Sequence, residues 1–558
     1  MSVFIGYPSF MAYQMMKGKK GNNDGFPSVT GMIARYSALG LTNEQMAANP
    51  VWVDKTGNGH DLQLKNFPWK GMSGVGGYVQ DFNDFRNNAT VDKVRIDEQS
   101  SNSVKVTILT TGIVNAIYIV KNVYQFNKSY FIKISSEGYD EGDMALSFYA
   151  PSTSTATTVM VSLNPNGVTE IPAIKEDDFL AVYINVSGKV GSFTVEQLPL
   201  YPGALVFDGV DDYGVCENFP ILTKEKGYTV VALRQWDQDF LNTTLTGGLL
   251  STRNYSTGEG VAFEKIESSN KGYWNLGAGG IIDFAKSPFT WQTSKQYNNV
   301  GILKGDKNHG KPLCVGCGLS GGQQCGRFAI WELVFLDHDA TEEELTKIKD
   351  YFVKTYPWLF PDQAWTVVGK TNEDEDRATI ANITGNGNNL VLSNFGFAEG
   401  SGYNEQGEYA GYLVTDGVDD KIVSSVFGMG KDFTIVGDWK FIDNKKRGTG
   451  LVKGSSFYIY NTMIGLDLYI NSGSVKNSLD GIKSINAACS DGRAYDRNWN
   501  EILANTGNVV GSGGTLEVSS SGGRFDRIAF KNLAIYPRIL SKYDCVKAYN
   551  YLQTLKAK

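Results

Sequence analysis

Histidine is nearly missing from this chain: His60, His309 and His338 are the only three in 558 residues. A Ser-His-Asp arrangement has little to draw on, because the imidazole is the base that activates the hydroxyl. A basic excess is missing too. Lys and Arg number 52 against 59 Asp and Glu, a formal charge of −7. That balance argues against a nucleic-acid groove, which needs cations to displace counterions. No apolar run approaches the ~20 residues that span a bilayer. The six cysteines follow no framework spacing, which suits assembly in a reducing cytoplasm without a disulfide framework. Heptads and collagen-like triplets are also absent, so neither of those fibre-forming devices operates here.

What is present points to β structure. Tyr 29, Phe 29 and Gly 63 favour pleated surfaces and the turns between them. The length suffices for roughly three to four domains. "FDGVDDYGV" (207–215) returns as "TDGVDDKIV" (415–423), and "TGNGHDLQLKNF" (56–67) returns as "TGNGNNLVLSNF" (384–395). "GLTNE" (40–44) matches "GKTNE" (369–373), and "RFAIWELVF" (327–335) matches "RIAFKNLAI" (527–535). The blocks keep one order, so the chain holds two copies of one domain. "YTVVALRQW" (228–236) and "FTIVGDWKF" (433–441) occupy matching places as core strands. Asp-Gly at the acidic turn fits a tight hairpin with φ > 0. The turn reads as architecture, with calcium at Asp211–Asp212 and Asp419–Asp420 as the alternative; calcium needs six to eight oxygens.

Between the TGNG and DGVDD blocks the first copy is some 120 residues longer, over about 84–203. There Val104, Val106 and Ile108 alternate with Lys105 and Thr107, the period of a half-buried strand. "SYFIKIS", "DFLAVYINV" and "GSFTVEQL" continue the pattern. Each copy closes with a helix: Thr341 and Glu344 form a capping box, Leu345, Ile348 and Phe352 an apolar face, and Pro357 the stop. Ser541, Asp544 and Tyr551 match this in the second copy. The expected organisation is an N-terminal anchoring segment (1–31), a first sandwich (32–83 and 204–358), an inserted jelly-roll-like β-sandwich (84–203) and a second sandwich (362–558). "PWLFPDQAW" (357–365) is the stiff join. In "MSVFIGYPSFMAYQMMKGKKG" the basic cluster Lys17, Lys19 and Lys20 follows the apolar patch. A secretory signal has the reverse order; the segment reads as a frayed or strand-forming terminus, or as an anchoring segment that docks on a partner chain.

The motifs "ALVFDGVDDYGV" and "YLVTDGVDDKIV", with the closing strands "AIWELVFLDHDATEEEL" and "AFKNLAIYPRILSKYD", resemble the concanavalin A-like, laminin-G-like sandwich family. The resemblance covers most of 32–83, 204–358 and 362–558 and implies a mainly β fold. Together with the TGNG blocks it is similar to appendage and fibre proteins of tailed, crAss-like phages of gut bacteria and to surface proteins of their hosts. Hydrolases of this class carry E-x-D-x-x-E, which separates nucleophile from acid. Here E-x-D occurs at Glu141–Asp143 and Glu176–Asp178, with Leu146 and Ala181 where the last glutamate belongs. No catalytic residue, cofactor or metal is expected. "NEDEDR" (372–377) lacks the glycine and terminal glutamate of a calcium loop.

Two binding questions stay open. His309, Cys314, Cys317 and Cys325 lie close in sequence and offer a loose zinc set, or the thiols line a buried strand as small hydrophobes. Trp69, Trp274, Trp291 and Trp499 offer stacking platforms for a sugar, or belong to the core. The expected function is a non-enzymatic virion structural protein, a head or tail fibre or appendage made in the host cytoplasm. It would join other virion proteins through its N-terminal segment and present its sandwiches to a host surface glycan or receptor. The alternative is a bacterial carbohydrate-binding or glycan-processing protein. The ligand and the oligomeric state are not legible.

Overall fold

The computed structural model describes residues 24–557 apart from 89–91, 113–114, 126–128, 138–143, 152–158, 164–166, 175–178, 224, 253–260, 266–270, 275–280, 284–287, 295–311, 320–322, 408, 443–447, 454–456, 463–464, 471–477, 481–484, 504–513 and 522–523. The fold is mainly β, built from antiparallel sheets. The chain divides into two compact units, Met1–Tyr78 with Tyr201–Tyr356, and Val79–Leu200 with Pro357–Lys558.

In the first unit, one sheet runs in the order Phe289–Thr293, Thr229–Trp236, Arg327–Leu336, Leu205–Asp208 and Gly74–Val75, with Met32–Ser37 also paired to Arg327–Leu336. A second sheet contains Leu62–Lys65, Tyr213–Cys216, Leu313–Val315 and Gly247–Ser251. Tyr36, Trp52, Leu64, Phe207, Trp236 and Phe335 fill the core between them. The second sandwich repeats the plan. Thr434–Phe441 pairs with Ile528–Tyr536 as Thr229–Trp236 pairs with Arg327–Leu336. Both pairs carry a β-bulge at the matching place, between Leu233 and Arg234 and between Asp438 and Trp439.

The acidic turn is not a hairpin. Leu205–Asp208 belongs to one sheet and Tyr213–Cys216 to the other, so the turn is a corner that carries the chain across the sandwich. Tyr412–Val414 and Lys421–Ser424 show the same crossing. Local sequence gives the turn but not the partners of its strands, which lie about a hundred residues away at Arg327–Leu336 and Leu313–Val315.

The helix Glu342–Thr355 has the expected capping box at Thr341 and Glu344, three acids in its first turn, and Leu345, Ile348, Tyr351 and Phe352 buried on one face. Acids there complement the helix dipole. The helix covers the outer face of the first sheet. Phe352 meets Phe289 at 6.0 Å, and Tyr351 reaches a buried ion pair. Arg35 donates to Glu332 through Nε (3.1 Å) and Nη2 (3.2 Å), with both side chains fully buried. Nη2 also donates to the Tyr351 hydroxyl (3.1 Å) and Nη1 to Asp24 (2.7 Å), and the Tyr356 hydroxyl donates to Glu332 (2.8 Å). Phe26 lies over the guanidinium at 3.9 Å. The chain entering from the N-terminal segment is thereby fixed to the first sandwich at Asp24 and Phe26.

The insertion forms two five-stranded sheets around Val104, Val106, Ile117, Phe148, Ile184 and Phe193. Its neck is held by Gln197, fully buried, whose Oε1 accepts from Val79 N and Gln80 N (2.9 Å each) while Nε2 donates to Gln80 O (2.9 Å). Although inserted in the first repeat, this domain shares a compact unit with the second sandwich. Phe131 meets Tyr549 edge-on at 5.3 Å, Asn550 Nδ2 donates to Pro199 O (3.4 Å), and Glu170 lies 4.0 Å from Arg497.

Candidate functional site

The corner and the loop before it form one repeated structure. Asp208 Oδ1 accepts from Val210 N (2.7 Å) and Asp211 N (3.4 Å), and Asp212 Oδ2 accepts from Asp208 N (3.0 Å). Asp416 and Asp420 repeat these bonds. Such Asx contacts replace backbone partners that the corner removes. Carboxylate oxygens of each trio lie within 4.8 Å of one another, yet two of the three carboxylates are engaged by amides. Burial, then the neighbouring Asp208 and Asp211, pushes Asp212 up to about 7, although the Ser73 hydroxyl opposes the shift. Asp420, also buried, is raised to about 6.

Onto each corner is tied an aromatic loop. Asn66 Nδ2 donates to Asp211 O and Asn394 Nδ2 to Asp419 O, both 3.0 Å. Ser401 Oγ donates to Asp420 (3.1 Å). Each loop then places an aromatic residue in the left-handed region, Trp69 at φ +57° and Phe397 at φ +48°. A bulky side chain there is an outlier that costs ~1–3 kcal/mol and needs support from its surroundings. The support is the same in both copies. Asn43 exchanges two hydrogen bonds with the backbone of Val75 (2.7 and 3.3 Å), as Asn372 does with Tyr403 (2.8 Å each). Gly74 and Gly402 make this approach, and a Cβ on either would lie 2.5 Å from that asparagine's oxygen.

The aromatic surfaces differ between copies. Trp69 is half-buried and stacks on Phe67 (4.8 Å, 18°). Phe397 is half-buried beside Phe395 (5.9 Å), and Arg377 lies over its ring at 5.0 Å. Val210 and Val418, at the corner tips, are 74% and 69% exposed, beside exposed Asp211 and Asp419. A half-open aromatic ring beside hydrogen-bond acceptors is the chemistry that receives a sugar, apolar on its C–H face and polar at its edges.

The other residues singled out in the sequence fall elsewhere. Trp499 is fully buried against Tyr549 (5.6 Å) and is core. Trp291 is half-buried in the strand Phe289–Thr293. Trp274 closes the strand Lys271–Trp274, and its side chain lies outside the described residues. Cys314 and Cys317 form a disulfide, a single local bridge and no framework, and it withdraws two thiolates from any zinc set. Cys325 is opposite Cys317 on a paired strand, and all three are buried. His309, Glu141–Asp143 and Glu176–Asp178 lie outside the described residues. His338 is held by Asp337 and Glu344 (3.2 Å each) at the helix cap. Burial works against its charged form, but these bonds keep its pKa above the ordinary value. "NEDEDR" is a turn closed by Asp374 on Thr371, and it delivers Arg377 to Phe397.

No known family model and no curated protein matches this chain. Among solved structures it is similar to the binding domain of botulinum neurotoxin serotype D (12% identity, TM-score 0.23, covering 60% of this chain and 84% of that one). Trypanosoma rangeli sialidase in complex with sialic acid aligns at 9% identity and TM-score 0.25, over 87% of this chain and 96% of the sialidase. Likeness of this degree supports no argument about function.

Proposed function

We propose that this protein is a non-enzymatic virion structural component, a head or tail fibre or appendage, whose sandwiches adhere to a glycan on the host surface. The observation that carries the reading is the double occurrence of the corner-tied aromatic loop. Two copies preserve a strained aromatic residue together with its asparagine, glycine and acidic supports. Two weak sites on one chain sum through effective concentration, which suits a surface bearing many identical sugars. The apolar stretch 1–23 of the N-terminal segment, which lies outside the described residues, is the proposed attachment to other virion proteins. Synthesis in the host cytoplasm is part of the same reading.

The test is twofold on one preparation. Mass spectrometry of purified particles should find the chain at a fixed copy number. Full-length protein carrying both Trp69→Ala and Phe397→Ala should bind host cells at least tenfold more weakly than either single variant. Absence from particles removes the virion role, and unchanged adhesion by the double variant removes the loops.

A further inference from the structure

The inserted sandwich has two outer faces, and they are unlike. The sheet containing Tyr130–Glu137 and Val168–Ile171 presents Phe131 and Glu170 to the second sandwich. The other sheet runs Val159–Leu163, Met144–Ala150, Ala181–Gly188, Ile117–Val120 and Arg86–Asn87. Alternation sends Ile117, Ile119, Leu146, Phe148, Val182 and Ile184 into the core. It leaves Tyr118, Tyr149 and Tyr183 outside, all half-exposed.

Register sets these tyrosines in one row. Tyr149 stands opposite Met160 on one side and Tyr183 on the other. Tyr183 stands opposite Tyr118, and Tyr118 opposite Arg86. The row crosses all five strands. Tyr118 and Tyr183 are stacked at 5.9 Å with 29° between planes, and Tyr183 and Tyr149 follow at 6.3 Å and 42°. Met160, at the end, is 68% exposed. The next outward row is Asn185, Ser147 and Ser162, also in register.

We infer that this face is a binding platform for an extended neutral polysaccharide chain. Cross-strand aromatic pairs stabilise a sheet by ~0.2–1 kcal/mol, but that role is served by a pair and needs no open run of rings on three adjacent strands. The ring centroids lie 5.9 and 6.3 Å apart along a line across the strands, so a chain lying that way meets a tyrosine at each of three successive steps. Tyrosine gives rigid contact area at low entropic cost, and serine and asparagine give adaptable hydrogen bonds. In these two rows Arg86, at one end, is the sole charged residue, which matches an uncharged ligand. This site lies outside the repeated loops and stands whether or not the chain belongs to a particle.

The test is affinity electrophoresis and calorimetry of the full chain against soluble neutral glucan, mannan, galactan and xylan, with polygalacturonate as the acidic counterpart. At least one neutral polymer should bind. Tyr183→Ala, at the centre of the row, should weaken that binding tenfold or more, and Tyr118→Ala by a smaller factor. Tyr183→Phe, which keeps the ring, should stay within about threefold, which separates ring stacking from loss of folding. Val190→Ser, in the exposed turn between Ala181–Gly188 and Gly191–Gln197, is the matched control and should bind as wild type. Failure of every neutral polymer overturns the inference, as does preference for polygalacturonate, capture of proteins alone, or full binding by Tyr183→Ala with its melting temperature preserved.

Discussion

Replacing Arg35 by Met should destabilise the first sandwich far more than replacing Glu332 by Gln. Both side chains are fully buried, and removing one partner of such a pair costs ~3–5 kcal/mol because the other charge is left uncompensated. Arg35→Met strands two carboxylates, Glu332 and Asp24, and leaves Glu332 with neutral hydroxyl contacts such as that of Tyr356. Glu332→Gln keeps an acceptor for the guanidinium and leaves Asp24 in place at 2.7 Å, so its cost should be nearer ~1–3 kcal/mol. The second repeat shows that the pair is dispensable to the fold. In the same register it has Ala364 at the place of Arg35 and Asn532 at the place of Glu332. There the Asn532 side-chain oxygen accepts from Asp438 N (3.1 Å). Arg35→Met with Glu332→Leu should therefore cost less than Arg35→Met alone, since an apolar replacement of both partners is often neutral. For a unit of this size ~1 kcal/mol moves the melting temperature by ~2–4 °C, so Arg35→Met should lower it by roughly 6–20 °C. Differential scanning fluorimetry gives the shift, and hydrogen exchange of the peptides spanning 32–37 and 327–336 assigns it to this sheet. A shift below ~2 °C for Arg35→Met would refute the reasoning. So would a double variant as costly as the two single changes added together.

Three further outcomes are expected. Removing residues 2–22 should leave a folded chain that no longer enters particles, whereas removing 2–26 should also lower the melting temperature, because Asp24 and Phe26 go with it; equal stability of the two truncations contradicts the clamp. Asp212, raised to about 7, and Asp420, raised to about 6, hold protons in the folded state that the unfolded chain releases near pH ~4. Their contribution is present below pH ~4 and lost as pH rises towards ~7. Asp212→Asn keeps the acceptor for Asp208 N, so it should flatten urea-derived stability between about pH 4.5 and 7.5, and curves parallel to wild type would disprove the assignment. Replacing residues 86–202 by a short Gly-Ser link should leave the first sandwich folded but speed amide exchange in the helix Lys542–Gln553, where Tyr549 and Asn550 lose Phe131 and Pro199. Unchanged exchange in that helix would show that the contact contributes nothing.

Local chemistry is legible in the sequence itself. The Thr341–Glu344 capping box, the apolar stripe Leu345–Ile348–Phe352, the strand alternation at Val104–Ile108 and the two repeats all depend on neighbours a few residues apart or on self-similarity. What stays hidden depends on distant partners. The acidic turn reads as a hairpin because Asp-Gly allows one, and only the pairing of its flanking strands in different sheets makes it a corner. Arg35 meets Glu332 across 297 residues, and nothing near either residue announces the other. The tyrosine row is the clearest case: "AVYINV" shows Tyr183 facing outward, but its alignment with Tyr118 and Tyr149 is a property of register. Tryptophan is the stacking residue that a reading of the sequence singles out, yet Trp499 is core, while the open aromatic face is made of tyrosine.

The neck at Gln197 has a mechanical consequence. Tension drawn along the backbone enters the inserted sandwich at Val79 and leaves it at Leu200, and Gln197 binds the entering backbone at Val79 and Gln80 by three hydrogen bonds. A pull therefore meets this clasp first, and the two sheets behind it carry no load while it holds. Once it opens, more than a hundred residues stand ready to unspool as slack. A chain built this way yields in a step under sudden force, with a reserve of length released from one domain while its neighbours stay folded.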